Sequence, residues 1–142
     1  MSIIQALVYE SQLTENSDKY CRQLPCYNHL NRYETLQLNV SINATYTIMI
    51  NADISICVDI YRDSFNTIFK LQNLVVDHLT MCFKKTKTFN ATFNSMTKYI
   101  LVVSTSFQSD WDKFSIRITG PKWISFFSTR ITSENSISND NN

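Results

Sequence analysis

Short runs in which hydrophobic and polar side chains alternate dominate the chain. At 46–50 and 114–118, aromatic and branched residues occupy every second position, so they share one face of an extended strand. No segment keeps apolar residues at helical spacing over several turns, and abundant Ile, Thr and Val favour strands over helices. The pattern predicts about ten strands, at 3–9, 33–40, 45–51, 54–61, 67–71, 79–84, 88–93, 99–105, 114–119 and 123–127.

Many short strands separated by polar turns are typical of one fold class, and we predict an all-β antiparallel sandwich of about 8–10 strands. The chain has 1 glycine, so Asn, Asp and Ser must form its turns, as at 51–53 and 108–110. We expect a polar surface loop at 11–31, and 63–78 has room for one short helix. Residues 1–132 are predicted to form one domain, followed by a polar tail at 133–142.

Composition narrows the possible functions. With 142 residues, 44% of them hydrophobic and 13% aromatic, the chain can bury one sizeable core, which excludes general disorder. Its net charge of +1 excludes binding to nucleic acid through a bulk positive charge. Since Gly120 is the only glycine, the sequence also excludes Gly-rich phosphate-binding loops. We expect no cofactor.

The N-terminus and the cysteines bear on the cellular compartment. The apolar run at 3–8 is too short to span a membrane. A secretory signal has basic residues before its apolar run, and this run has none. We therefore expect a cytoplasmic protein with reduced thiols at Cys21, Cys26, Cys57 and Cys82. Cys57 and Cys82 lie in apolar runs and are expected to pack in the core. The alternative is two disulfides, for which three pairings exist.

Three Asn-x-Ser/Thr glycosylation motifs begin at Asn39, Asn43 and Asn90. In a chain this rich in Asn, Ser and Thr, such motifs arise easily by chance. Because we expect a cytoplasmic protein, we also expect these motifs to be unused.

The most specific sequence signal lies at 98–118. An aromatic-led apolar strand ends in Ser-Thr-x-Phe at 104–107, and a second strand reads Phe-x-Ile-Arg-Ile at 114–118. These segments resemble the last two strands of the calpain-type β-sandwich, the domain that follows the protease core in calpains. That family has Pro where this chain has Val103, no residue in place of Ser106, and Gly where Asp112 or Lys113 stands. A looser likeness extends the family-like part to 33–119.

The resemblance implies a regulatory or interaction module without the protease core, and therefore a protein that is not an enzyme. We expect it to dock, through protein partners, into a larger intracellular assembly of the cytoskeleton or cilium. The first alternative is a calcium- or phospholipid-responsive regulatory domain. The second is a secreted sugar-binding or adhesion module.

The family-like strands also have a physical interpretation. Ser104 and Thr105 are expected to cap free backbone groups where the chain leaves the sheet. Arg117 points outward and is expected to pair with a carboxylate on a neighbouring strand. Neither role is catalytic.

Sequence patterns for catalysis and metal binding are incomplete. Cys26 lies close to His29, but no protease signature surrounds either residue. The Cys-x4-Cys-x2-His spacing at 21–29 lacks a fourth ligand, so we predict no metal site there. The best set of aspartates for binding calcium consists of Asp53, Asp59 and Asp63. These residues are spread along and beside a predicted strand, which separates their carboxylates too widely to converge on one ion. We predict no catalytic residue, and we expect His78 to form a surface pair with Asp77.

A basic cluster is one candidate binding surface. Lys84, Lys85 and Lys87 could contact an anionic lipid surface or an acidic partner, or could blunt an exposed strand edge. We favour the edge interpretation, so a membrane surface is an allowed partner but not the favoured one.

An aromatic segment is the other candidate. Trp123, Phe126 and Phe127 are candidate partner-binding residues, with Arg130 at the rim of the interface. The alternative is that these aromatic rings complete the core of the sandwich.

Overall fold

The computed structural model describes residues 4–22, 30–68, 74–75, 81–106, 112–121 and 124–128. All regular structure in these residues is β-strand. The strands are β1 (Ile4–Gln12), β2 (Lys19–Tyr20), β3 (Asn31–Val40), β4 (Ala44–Arg62), β5 (Met81–Phe93), β6 (Lys98–Thr105), β7 (Lys113–Pro121) and β8 (Ile124–Ser128). Neighbouring strands pair antiparallel throughout, which confirms the predicted all-β antiparallel fold.

The long strand β4 organises a curled sheet. Along one edge it pairs with β5, and along the other it pairs first with β7, over 47–52, and then with β6, over 56–62. This change of partner divides the sheet into two halves. The first half contains β1, β7, β4 and β5, and the second contains β5, β4, β6 and β3, with β2 and β8 on the far edge of β3.

The inward faces of the two halves share one hydrophobic core. The first half contributes alternate residues of β4 and β7, which are the buried Tyr46, Ile48, Ile50, Phe114, Ile116 and Ile118. This confirms the alternation predicted at 46–50 and 114–118. The second half adds Leu36, Leu38, Val40, Ile56, Val58, Ile60, Leu101 and Val103. Burial of these side chains against each other supplies the main driving force for folding.

A carboxylate also faces this core. Glu34 shares the inward face of β3 with Leu36 and Leu38 and is only 3% exposed. The hydroxyl of Ser11 donates a hydrogen bond to it at 2.7 Å, and the hydroxyl of Tyr9 donates another. These bonds offset the cost of burying the carboxyl oxygens.

A second apolar cluster lies on the outward face of the second half. Its buried members are Tyr20, Tyr61, Ile100 and Val102. The half-buried Tyr33, Phe65 and Leu74 pack against it. Because these sheet residues point away from the main core, the segments after β1 and β4 must fold back to shield them from water.

The structure corrects several strand boundaries. The predicted strands at 45–51 and 54–61 are parts of β4, and 81–84 and 88–93 both belong to β5. The predicted turn at 51–53 is wrong, because Ala52 pairs with Lys85 and the next pair joins Ser55 to Lys84. Two extra residues of β4 therefore form a bulge. Opposite the bulge, on β5, the backbone of Lys85 has a φ of 80°. An insertion of two residues keeps the inward alternation intact on both sides.

Predictions for the loops are also revised. The segment 11–31 contains β2 and buries Leu13 and Tyr20, so it is not simply a polar surface loop. The described parts of 63–78 hold bends and a bridge from Leu74 to Tyr61 rather than a helix. Residues 67–68 are not a strand. The predicted turn at 108–110 and the tail at 133–142 lie outside the described residues.

The family-like strand ends behave as expected in part. The Thr105 hydroxyl accepts a hydrogen bond from the Arg32 backbone N–H at 3.1 Å, so Thr105 caps the sheet as predicted. Arg117 is exposed, as predicted, but it stands opposite Val8 and Met49. The prediction that Arg117 pairs with a carboxylate is therefore wrong. Within the described part of the chain, the ion pair that forms is the one between Arg22 and Asp59.

Candidate functional site

The cysteines that the structure describes are oxidised, contrary to the expectation of reduced thiols. Cys57 and Cys82 face each other across the β4–β5 pair and form a disulfide. Cys57 is buried as predicted, but Cys82 is exposed. Cys21 is also disulfide-bonded, and no cysteine in the described ranges is free. Sequence spacing could not predict this pairing, because the register of β4 against β5 brings the two cysteines together.

The lysines of the predicted basic cluster lie on β5. Lys84, Lys85 and Lys87 are all exposed, and the described pairings leave the second edge of β5 open. The register places Lys87 beside Ile50 on the inward side and Lys84 beside Ser55 on the outward side. Charges divided between two sides suit a solvated strand edge better than contact with one flat anionic surface.

The aromatic candidates lie near the end of the described chain. Phe126 and Phe127 belong to β8, where the register pairs them with Leu38 and Gln37. Trp123 and Arg130 lie outside the described residues. Partner binding by this segment stays a prediction.

The carboxylates considered for calcium are separated in the fold. Asp53 is exposed in the bulge of β4, and Asp63 is exposed just after β4. Asp59 is buried and accepts two hydrogen bonds from the Arg22 guanidinium, each 3.0 Å long. Across the described ranges, His, Cys, Asp and Glu form no group of three that could hold a metal ion. Cys26, Asp77, His29 and His78 lie outside those ranges.

The Arg22–Asp59 pair anchors the cover over the second apolar cluster. The Arg22 side chain is 10% exposed and that of Asp59 is 4% exposed, so both charges are largely removed from water. The Asn31 side chain joins this corner to the sheet, since it accepts a hydrogen bond from the Arg22 N–H and donates one to the Thr105 carbonyl at 2.6 Å. The two parallel hydrogen bonds between the guanidinium and the carboxylate fix the position of the segment after β2.

Aromatic rings pack together beside this ion pair, with Phe65 edge to face against Tyr20 and Tyr33 and tilted against Tyr61. The Phe65 ring lies 5.3 Å from Tyr20, 5.7 Å from Tyr33 and 4.7 Å from Tyr61, measured between centroids. Burial, and next the charge of Asp59, raise the pKa of the Tyr20 and Tyr61 hydroxyls. Both hydroxyls are therefore neutral at ordinary pH, and the packed rings present an uncharged wall.

An open cleft of about 670 Å³ adjoins this wall on the outward face of the second half. Thr35 and Gln37 of β3 and Ile100 of β6 line it, as do the half-buried rings of Tyr33 and Phe65. The other lining residues are Asp18, Glu34, Asp63, Ser64, Asn66, Thr67, Ile68 and Lys98. The volume falls in the range of known small-molecule sites.

Backbone hydrogen bonds hold the walls of the cleft. The Asp63 N–H donates to the Lys98 carbonyl at 2.7 Å, which ties the segment after β4 to the start of β6. The Tyr33 N–H donates to the Asp18 carbonyl at 2.9 Å, which fixes the opposite side. The Asn66 side chain accepts a hydrogen bond from the Ile68 N–H and closes a tight turn in the wall.

No family model matches the chain, and no curated protein matches it in sequence. The described residues contain no helical segment with the length and hydrophobicity of a membrane span.

Sequence reasoning missed the residues that build this cleft. Its floor comes from β3 and β6, whereas Asp18, Phe65 and Lys98 come from other parts of the chain. A weak signal was present at Tyr33, Thr35 and Gln37, since the outward positions of β3 combine an aromatic ring with uncharged polar groups. Their convergence with the distant segments depends on strand order, which alternation alone does not specify.

Proposed function

We propose that this protein is a non-catalytic recognition module of an oxidising compartment, with the outer cleft as its ligand-binding surface. The disulfide-bonded cysteines carry the proposal. Disulfides persist in secreted and extracellular domains, whereas the cytoplasm keeps thiols reduced. This observation favours the secreted adhesion or sugar-binding alternative over docking inside a cytoskeletal or ciliary assembly.

The lining of the cleft supports a hydroxyl-rich ligand such as an oligosaccharide. The Tyr33 and Phe65 rings offer apolar faces, while Gln37 and Asp63 offer hydrogen-bonding groups for hydroxyls. The described lining contains no thiol or imidazole, and its hydroxyl, amide and carboxyl groups can serve as hydrogen-bonding partners of a ligand. The calpain-type resemblance of β6 and β7 supports binding without catalysis.

The calcium- or phospholipid-responsive alternative receives less support. Its central carboxylate, Asp59, is already paired with Arg22. The lysines that would contact an anionic surface lie on both sides of the β5 edge.

The compartment is tested by alkylating the full chain after synthesis in a secretory pathway and, in parallel, in a reducing cytoplasm. We expect the secreted protein to take up no alkylating reagent before reduction and to react at all 4 cysteines after reduction. We expect the cytoplasmic product to be less stable. A folded cytoplasmic product with reduced cysteines and equal stability would contradict the proposal.

The ligand is tested on an array of soluble oligosaccharides, with hits measured by calorimetry. Gln37→Ala removes an amide from the cleft floor and should weaken binding at least several-fold, because a lost hydrogen bond to a ligand costs about 1 kcal/mol. Thr88→Ala, an exposed change on β5, is the matched control and should leave affinity unchanged. Absence of any saccharide binding, or equal losses in both variants, would contradict the assignment.

A further inference from the structure

Two of the glycosylation motifs lie side by side in the fold. Asn43 is in the turn between β3 and β4, and Asn90 is in β5. The third residues of the two motifs, Thr45 and Thr92, are direct register partners, and their hydroxyls are 2.8 Å apart. The motifs therefore share one end of the first half of the sheet.

Both asparagine side chains point into solvent. Asn90 is exposed, and its Oδ1 accepts a hydrogen bond from the Thr47 hydroxyl at 2.9 Å. Asn43 is exposed, and its Oδ1 accepts one from the Ser95 N–H at 2.6 Å. In each case the oxygen holds the amide in place, and these bonds leave Nδ2, the atom that carries a glycan, unused.

The third motif has a different environment. Asn39 is half-buried in β3, with β6 on one side and β8 on the other. Its Oδ1 accepts a hydrogen bond from the amide of Gln37, which lines the cleft. A glycan on Asn39 would crowd both β8 and the cleft.

We propose that Asn43 and Asn90 carry N-linked glycans and that Asn39 does not; the proposal rests on passage through a secretory compartment, as inferred above. The donor is a lipid-diphosphate-linked oligosaccharide. The Nδ2 atom forms a bond to the anomeric carbon as the bond from that carbon to the diphosphate oxygen breaks. The lipid diphosphate leaves, and the amide loses one proton.

The glycans would cover a particular surface. Asn90 lies on the outward face of the first half, beside Thr47 of β4, and β5 has an open edge in the described pairings. Open strand edges can pair with other chains, and a bulky hydrophilic group near the end of such an edge hinders that contact. The ligand cleft belongs to the second half of the sheet and stays uncovered.

The experiment uses the full chain secreted from a eukaryotic cell behind a cleavable signal. Peptide-N-glycosidase should lower the intact mass and convert Asn43 and Asn90 to Asp. Asn43→Gln and Asn90→Gln should each remove one glycan step on a gel. Asn39→Gln and the control Asn94→Gln, an exposed asparagine outside any motif, should remove none.

The conservative change Thr92→Ser keeps the Asn90 motif and should keep the glycan, whereas Thr92→Val should remove it. An unchanged mass after glycosidase treatment, or sugar on Asn39 with Asn43 and Asn90 unmodified, would overturn the proposal. Alkylation of the same sample shows, independently of the glycans, whether the cysteines are reduced or disulfide-bonded. Reduced cysteines would count against the proposed compartment, and missing sugar would count against the glycan sites.

Discussion

Gly120 lies directly against the ring of Tyr46, which is fully buried in the main core. A Cβ atom at Gly120 would overlap the edge of that ring and would lie 3.0 Å from Tyr46 Cε2. The pairing of β7 with β4 reaches Thr119 and Thr47, the residues next to Gly120 and Tyr46, and so holds the ring beside the glycine. The only glycine of the chain therefore serves close packing instead of a turn.

We expect Gly120→Ala to lower the free energy of unfolding by about 1–3 kcal/mol, the usual cost of overpacking a core. Urea denaturation monitored by circular dichroism measures the effect. Thr119→Ala, on the neighbouring half-exposed position of β7, should change stability by less than about 1 kcal/mol. Equal stability of Gly120→Ala and the wild type would contradict the close contact.

The Arg22–Asp59 pair holds two charges away from water. Asp59→Asn leaves the buried guanidinium without its counter-charge, so we expect a loss of about 3–5 kcal/mol in urea denaturation. Asp53→Asn, at an exposed position of the same strand, is the control and should have little effect. A small effect of Asp59→Asn would show that the pair does not anchor the cover over the aromatic rings.

Buried tyrosines make stability depend on alkaline pH. Burial raises the pKa of the Tyr20, Tyr33, Tyr46 and Tyr61 hydroxyls above the ordinary value of 10.0. The native state therefore keeps these protons to higher pH than the unfolded state does. Their contribution to stability is complete below pH 10 and is lost as the pH rises above it, because the unfolded chain releases protons first.

Phenolate absorbance and far-ultraviolet circular dichroism, followed through the same alkaline titration, test this prediction. Ionisation of these four tyrosines should coincide with loss of the β signal. Tyr61→Phe should make the decline of stability above pH 10 shallower. Titration of all 7 tyrosines near their ordinary pKa with the fold intact would contradict it.

At the scale of elements, the irregularity between β4 and β5 concentrates backbone strain. Lys85 has a φ of 80°, a conformation that costs a residue with a Cβ about 1–2 kcal/mol. Lys85→Gly should therefore raise the free energy of unfolding by up to about 1 kcal/mol. Lys84→Gly, in the neighbouring position without positive φ, should lower it by about 0.5–1 kcal/mol. Equal effects of the two changes in urea denaturation would refute the assigned geometry.

Strand positions were predictable where one face is buried. The alternation at 46–50 and 114–118 identified β4 and β7, because apolar side chains on every second residue can be buried only by an extended chain. The turn predicted at 51–53 was wrong. Asn and Asp indicate a turn there, but long-range pairing with β5 and β7 keeps the chain extended through the bulge. Tertiary pairing overrode the local preference.

At the scale of the molecule, the disulfide joins β4 to β5 across a sequence separation of 25. Closing a loop of this size in the unfolded chain contributes about 3–4 kcal/mol on the chain-entropy account. The paired change Cys57→Ala with Cys82→Ala should lower the free energy of unfolding by about that amount. The reduced wild-type protein should lose a similar amount of stability. If the double variant is as stable as the oxidised wild type, the disulfide does not stabilise the fold.

The sequence by itself determined the class of fold and the inward faces of the main strands, since both follow from the alternation of neighbouring residues in the chain. Its composition alone determined that the turns are made without glycine. Strand order, the Cys57–Cys82 pairing, the inward-facing Glu34 and the cleft were decided only by the tertiary structure. Each of these requires residues far apart in the chain to meet. Alternation assigns a residue to a face of its strand, but the neighbouring strand and the register are fixed only when all the strands pack around one core.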